Sequence, residues 1–178
     1  MLTVDNTILA VVDIQGKLAA LIHQRDALYA NVATLIGAAE ALDLAILRTE
    51  QAPDKLGPTV REVAECLDRP PITKTAFSCC GEPAFNDALR AAGRRQVLLT
   101  GIETHICIFQ TAADLVADGF EVHVVADAVS SRTAENRQIG LDRARAAGAT
   151  ITSVECALFE LLRTAEHPAF RQIARLIR

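Results

Sequence analysis

The chain has 178 residues, 51% of them hydrophobic and 22% charged, with a formal net charge of −4. These values suit one globular domain over residues 1–178 and exclude a disordered chain. The acidic balance leaves no basic footprint for nucleic acid or an anionic membrane, so small molecules or protein surfaces are the expected partners.

Residues 7–12 (TILAVV) read as a first strand buried on both faces. The surrounding stretch, MLTVDNTILAVVDIQG, carries only a short apolar run interrupted by Asp13. It fits neither a signal peptide nor a spanning helix, which predicts a cytoplasmic protein. A helix follows in which Val32, Leu35, Ile36 and Ala39 recur at helical spacing and make one apolar stripe. Residues 44–49 read as a second strand, 51–58 (QAPDKLGP) as a loop and 59–67 as a helix that Pro70 and Pro71 break. Then come a strand at 72–76, a helix at 82–92 ended by Gly93, a strand at 96–101 (QVLLTG) and a helix at 107–118 closed by Gly119. A strand at 120–126 (FEVHVVA), a helix at 133–147 and a strand at 150–154 precede two last helical pieces.

The final piece, HPAFRQIARLIR, sets Phe170, Ile173, Ala174 and Ile177 on one face and Arg171, Arg175 and Arg178 elsewhere. It reads as a helix docked on the domain or on a second subunit rather than on a membrane surface. Strands that alternate with helices from end to end predict repeated βαβ units and a parallel sheet. With 4% aromatic residues and no Trp, its core is Ala, Leu, Ile and Val.

Open parallel sheets bind ligands at the carboxyl ends of their strands, above all where the strand order reverses. That rule selects Asp13 after the first strand, Glu50 and Gln51 after the second, Lys74 near the end of the third, and residues 103–107 after the fourth. If the order is 3-2-1-4-5-6, the reversal between strands one and four brings Asp13 to Cys107. Cys107 would stand in the first turn of a helix, where free N–H groups and the dipole favour a thiolate. Asp13 could then take its proton and Lys74 could stabilise the charge. On pattern alone a second reading stands beside this one: Cys107 as buried filler, Asp13 as a strand-end cap and Lys74 as a surface charge.

The five cysteines, Cys66, Cys79, Cys80, Cys107 and Cys156, are an odd number and read as thiols rather than a disulfide framework. No Cys/His spacing fits a zinc template. Cys66 and Cys156 read as core, and Cys79 and Cys80 as packing or pocket lining. The two-residue spacing of His105 from Cys107 does not by itself put the ring beside the sulfur, and His123, inside a strand, reads as a hydrogen-bonded core histidine. Gly16 and Gly101 read as turn residues. No phosphate-binding glycine motif and no GxSxG elbow is present, so neither a dinucleotide nor a serine hydrolase is supported.

VVDIQ around Asp13, ITKTAFS around Lys74, GIETHICIFQTAADLVADGFEVHVVADAVSSR over residues 101–132 and the terminal HPAF together resemble the isochorismatase-like cysteine hydrolases. TEQAPDKLGPTV over residues 49–60 resembles the branch of isochorismatase domain-containing proteins. The resemblance spans nearly the whole chain. It implies an α/β fold, a three-layer α/β/α sandwich on a six-stranded parallel sheet of order 3-2-1-4-5-6. It also implies a catalytic triad of Asp13, Lys74 and Cys107 acting through a thioester, and an oxyanion hole from the N–H groups of Glu103 and Cys107 beside a cis Ile102–Glu103 peptide. Gln15, Glu50, Phe77 and Ile102 fall at substrate-binding positions, and Phe109 is a further ring that could shape the pocket.

Nicotinamidases of this family bind a metal after strand two, but TEQAPDKLGP contains no His, so neither metal nor cofactor is expected. Family members that cleave a vinyl ether commonly lack the cysteine, so its presence favours hydrolysis of an amide-type C–N bond. The alternatives are vinyl-ether hydrolysis with Asp13 as acid, or a non-catalytic interaction protein. A homo-oligomer is expected.

Overall fold

The structure is a computed structural model that describes residues 1–177. Six strands, β1 (Thr7–Val12), β2 (Ala45–Gln51), β3 (Ile72–Lys74), β4 (Gln96–Ile102), β5 (Glu121–Ser130) and β6 (Thr150–Thr152), form one sheet of order β3-β2-β1-β4-β5-β6. Every neighbouring pair is parallel. The order reverses between β1 and β4, as expected, and both strands are buried along their whole length.

The helices are α1 (Gly16–Ala20), α2 (Arg25–Ala41), α3 (Pro53–Leu56), α4 (Arg61–Ala64), α5 (Pro83–Ala92), α6 (Phe109–Ala117), α7 (Ala134–Ala146), α8 (Val154–Leu162) and α9 (Phe170–Leu176). They cover both faces of the sheet, and the two-residue period of β1 sorts its side chains between them. Leu9 and Val11 join a core with the α2 stripe (Val32, Leu35, Ile36, Ala39), Leu158 of α8 and Ile173 of α9. Ile8, Ala10 and Val12 join the opposite core with Phe85 of α5, Ala112 of α6 and Leu141 of α7. Aliphatic residues dominate both layers, and Phe85 is the one fully buried ring among the described residues.

Several elements differ from expectation. β2 runs two residues further than the strand expected at 44–49, and the loop expected at 51–58 contains α3. The helix expected at 59–67 shrinks to the single turn of α4. β3 ends at Lys74, where the chain must turn for the ammonium to enter the interior. The strand expected at 120–126 continues to Ser130 through a register shift against β4. Residues 153 and 154, expected in the last strand, instead start α8, with the Ser153 side chain accepting from the Cys156 N–H. Gly101 lies within β4 rather than in a turn. Ile173 docks α9 on the α2 face of the domain, while Arg178 lies outside the described residues.

Between β4 and α6 the chain makes a wide turn, Thr104–Ile108, wound as a π-helix. Helix α7 packs on that turn so closely that a Cβ on Gly140 would sit 2.5 Å from the Thr104 carbonyl carbon and oxygen. Gly140→Ala should therefore destabilise the fold by about 1–3 kcal/mol, outweighing the roughly 1 kcal/mol that Ala gains over Gly in a helix. Urea unfolding of the two proteins measures this difference.

Candidate active site

Asp13 follows β1 by one residue, with a left-handed φ of 54° that turns the chain out of the sheet. Its Oδ1 accepts from the Thr49 hydroxyl of β2 at 2.7 Å, and its backbone N–H donates to the Thr49 carbonyl at 3.2 Å. Its Oδ2 lies 2.6 Å from the Lys74 ammonium at the end of β3, with side-chain exposures of 4% and 0%. Nζ also donates to Gln51 Oε1 at 2.8 Å and to the carbonyls of Ala76 and Phe77 at 3.0 and 3.1 Å. A lysine so desolvated is tolerable because oxygens surround it and a carboxylate balances its charge. Lys74 is therefore an interior charge, not a surface one.

Cys107 is 7% exposed and lies in the π-helical turn, ahead of α6 rather than in its first turn. Burial pushes its thiol up to about 12, the nearby Asp13 carboxylate adds to the shift, and Lys74 only partly opposes it. The thiol and the Asp13 carboxyl line the same cavity. This runs against the expectation of a ready-made thiolate: Cys107 stands outside the first turn of α6, and burial outweighs the nearby ammonium. Cys79 lies buried behind the same group, with its Sγ 3.9 Å from Thr49 Oγ1 and its thiol pushed up to about 11.

In front of Asp13 and Cys107 is a narrow cavity of about 90 Å³, lined by Gln15, Leu18, Gln51, Leu56, Phe77, Ile102, Glu103 and Ile106 as well. The Ile102–Glu103 peptide is cis. The Glu103 carbonyl accepts from the N–H groups of Ile106 and Ile108 at 3.1 and 3.2 Å, which passes over the Cys107 amide. The Glu103 carboxylate accepts from the Arg132 backbone N–H and Nε, both at 3.1 Å. The Gln15 amide donates to the carbonyls of Gln51 and Gly57 at 3.0 and 2.8 Å and accepts from the Gln51 N–H at 2.6 Å. It thus ties the end of β2 to the α3 segment. Phe77, 56% exposed, stands at the mouth.

Glu50 does not reach the cavity. Its Oε1 accepts from the Thr59 N–H and hydroxyl at 2.7 and 2.6 Å, because successive strand residues point to opposite faces and the cavity falls to Gln51. Phe109 is also outside; its ring carries the Arg143 guanidinium 3.8 Å from the centroid. His105 turns to Ser131, with Nδ1 and Oγ 3.0 Å apart. His123 is a core residue as expected, but its Nδ1 has no hydrogen-bond partner among the described residues, and burial lowers its pKa. Cys156 is exposed rather than core, and Cys66 is partly exposed. Leu18 and Leu56 are lining residues that the strand-end rule does not select, while Ile106 falls within the stretch 103–107 that it does. Leu18 and Leu56 meet where α1 and α3 touch, at Gly16, where a Cβ would lie 1.6 Å from the Leu56 carbonyl oxygen. Among the described residues no group of three or more His, Cys, Asp or Glu could hold a metal ion, and no helix is long and apolar enough to cross a membrane.

Replacing Lys74 with Met should cost about 3–5 kcal/mol, since the buried Asp13 carboxylate would lose its cation; chemical denaturation would reveal a smaller loss as an error in this assignment. The thiols also set an alkaline limit. Cys79, Cys80 and Cys107 are raised from 9.0 to about 11, 12 and 12 in the fold. Below pH 9 they are protonated folded or unfolded and contribute no slope. Above it the unfolded chain releases protons that the folded chain keeps, so stability should fall as pH rises from about 9 towards 12. Unfolding midpoints at pH 8 and 10.5 should show the drop, and Cys80→Ala should reduce it.

The isochorismatase domain matches residues 7–156. The chain is 40% identical to isochorismatase domain-containing protein 2 of Danio rerio, over 99% of this chain and 89% of that protein. Among solved structures it is similar to the MAR1 ribonuclease of Caenorhabditis elegans, with TM-score 0.94 and 37% identity over 99% of this chain and 91% of the other. It is also similar to two YcaC proteins. The Escherichia coli one, described as an octameric hydrolase of unknown specificity, has TM-score 0.92 and 26% identity over 99% and 88% of the two chains. The Pseudomonas aeruginosa one, solved with hexane-2,5-diol and covalent acrylamide, has TM-score 0.89 and 25% identity over 99% and 95%. With its six-stranded parallel sheet and a domain match over most of its length, this chain belongs to the isochorismatase family.

Proposed function

We propose that the protein hydrolyses an amide-type C–N bond of a small molecule through Cys107. The observation that carries this reading is the buried Asp13–Lys74 ion pair set against the Cys107 thiol at a narrow cavity. Because the thiol is held protonated, Asp13 acts as a general base during attack rather than before it. Sγ bonds to the carbonyl carbon as its proton passes to Asp13. The N–H groups of Glu103 and Cys107 receive the oxyanion. The C–N bond then breaks, Asp13 gives the proton to the leaving amine, and a thioester remains. Water, deprotonated by Asp13, attacks that carbon, the S–C bond breaks, and the sulfur regains a proton from Asp13. Lys74 fixes the carboxylate throughout and keeps its charge bearable in the interior.

The acrylamide held covalently by the Pseudomonas YcaC supports a reactive nucleophile on a similar fold, since acrylamide bonds to nucleophiles through its alkene carbon. The octamer described for the E. coli protein supports a homo-oligomer here. The ribonuclease name of the C. elegans protein finds less support in this chain: its net charge is −4, and both ionised side chains that line the cavity are carboxylates.

Cys107→Ala is expected to fold normally while losing turnover of small amides and any acyl adduct seen by mass spectrometry. Asp13→Asn should lower turnover by about 10²–10⁴-fold. Full activity in Cys107→Ala would instead assign the chemistry to Asp13 alone, as in vinyl-ether hydrolysis.

A further inference from the structure

We infer that the substrate is a small uncharged amide with a short apolar acyl group, and that compounds bearing a carboxylate are refused. This rests on the hydrolase reading above and adds the substrate class to it. The inference comes from what the cavity wall can and cannot offer. Its apolar surface is Leu18, Leu56, Phe77, Ile102 and Ile106. Among the described residues its only ionisable side chains are Asp13, Glu103 and Cys107, two carboxylates and a protonated thiol.

Neither neighbouring cation is part of the cavity lining. Lys74 has no exposed side-chain surface and is surrounded by Asp13 Oδ2, Gln51 Oε1 and the carbonyls of Ala76 and Phe77. Arg132 is outside the lining and bonded to Glu103. Lys17 and Lys55 line an adjoining outer groove, which shares Leu18 and Leu56 with the cavity and also holds Asp54, and neither lysine lines the cavity itself.

The polar amides are equally committed. Gln15 spends both its donor and its acceptor on the backbone of Gln51 and Gly57, and Gln51 gives its oxygen to Lys74 and its amide to the Thr75 carbonyl. An anion entering here would lose its water and meet two carboxylates already paired with their own cations, with no further cation in the lining to receive it. A neutral amide places its carbonyl at the oxyanion position, its nitrogen towards Asp13 and its acyl group against the apolar wall. The volume of about 90 Å³ is well below the roughly 300–1,000 Å³ typical of drug-sized ligand sites, which limits that acyl group to a short chain. Isochorismate, a dicarboxylate, does not match this wall.

Two probes of nearly equal size isolate the charge. Iodoacetamide and iodoacetate both alkylate thiols, the first neutral and the second anionic. The ratio of their rates at Cys107, read by peptide mass spectrometry and divided by the ratio for 2-mercaptoethanol, should favour iodoacetamide by about a hundredfold. Leu56→Lys, which brings an ammonium to the half-exposed edge of the wall, should narrow that preference by about tenfold. A normalised ratio near one overturns the inference. Hydrolysis provides the second arm, with isobutyramide against succinamate. Faster turnover of isobutyramide supports the substrate class. Equal or faster turnover of succinamate overturns it while leaving the thiol hydrolase intact. Turnover of neither, with Cys107 still alkylated selectively, overturns the hydrolase reading and the substrate class with it.

Discussion

The ion pair between Lys74 and Asp13 is the constraint to which the other parts of the site conform. Two opposite charges with almost no solvent contact persist only where each has further hydrogen-bond partners, and these come from three adjacent strands. β1 delivers the carboxylate, β2 the Thr49 hydroxyl and the Gln51 amide, and β3 the ammonium. The parallel register makes their C-terminal ends coincide, with Gln51 paired directly to Lys74. Any slip of one residue between β2 and β3 would exchange Gln51 for Glu50 and put a third carboxylate beside the pair.

The same pair explains the state of the cysteine. A thiol next to a buried ammonium alone would ionise readily, but here the carboxylate stands closer in effect and burial dominates both. The sulfur is thus kept neutral beside the Asp13 carboxylate. Helix α7 contributes from the other side: by packing backbone to backbone at Gly140 it holds the turn that carries Cys107.

The sheet is readable in the sequence because continuous Val, Ile and Leu runs leave little choice, and residues 7–12 match β1 to the residue. The order comes from the family resemblance, and the meeting of Asp13 with Cys107 then follows from the strand-end rule. Glu50 reads wrongly as a lining residue because position in the chain does not reveal which of two adjacent side chains faces the cavity once a strand runs past its expected end. The π-helical turn escapes notice since hydrophobic periodicity does not separate it from the helix it precedes. Leu18 and Leu56 belong to the site through the contact of two very short helices distant in sequence, and nothing in local pattern encodes such a meeting.

The role of Gln15 has a consequence for how this architecture could diversify. Its side chain pins the α3 segment to the sheet using backbone partners only, so the identity of the side chains in residues 52–57 is left free of that duty. Of the apolar lining only Leu56 comes from that stretch, so this part of the wall is separable from Asp13, Lys74 and Cys107. New specificities could arise by exchanging the short α3 cassette while the charges beneath it stay in place.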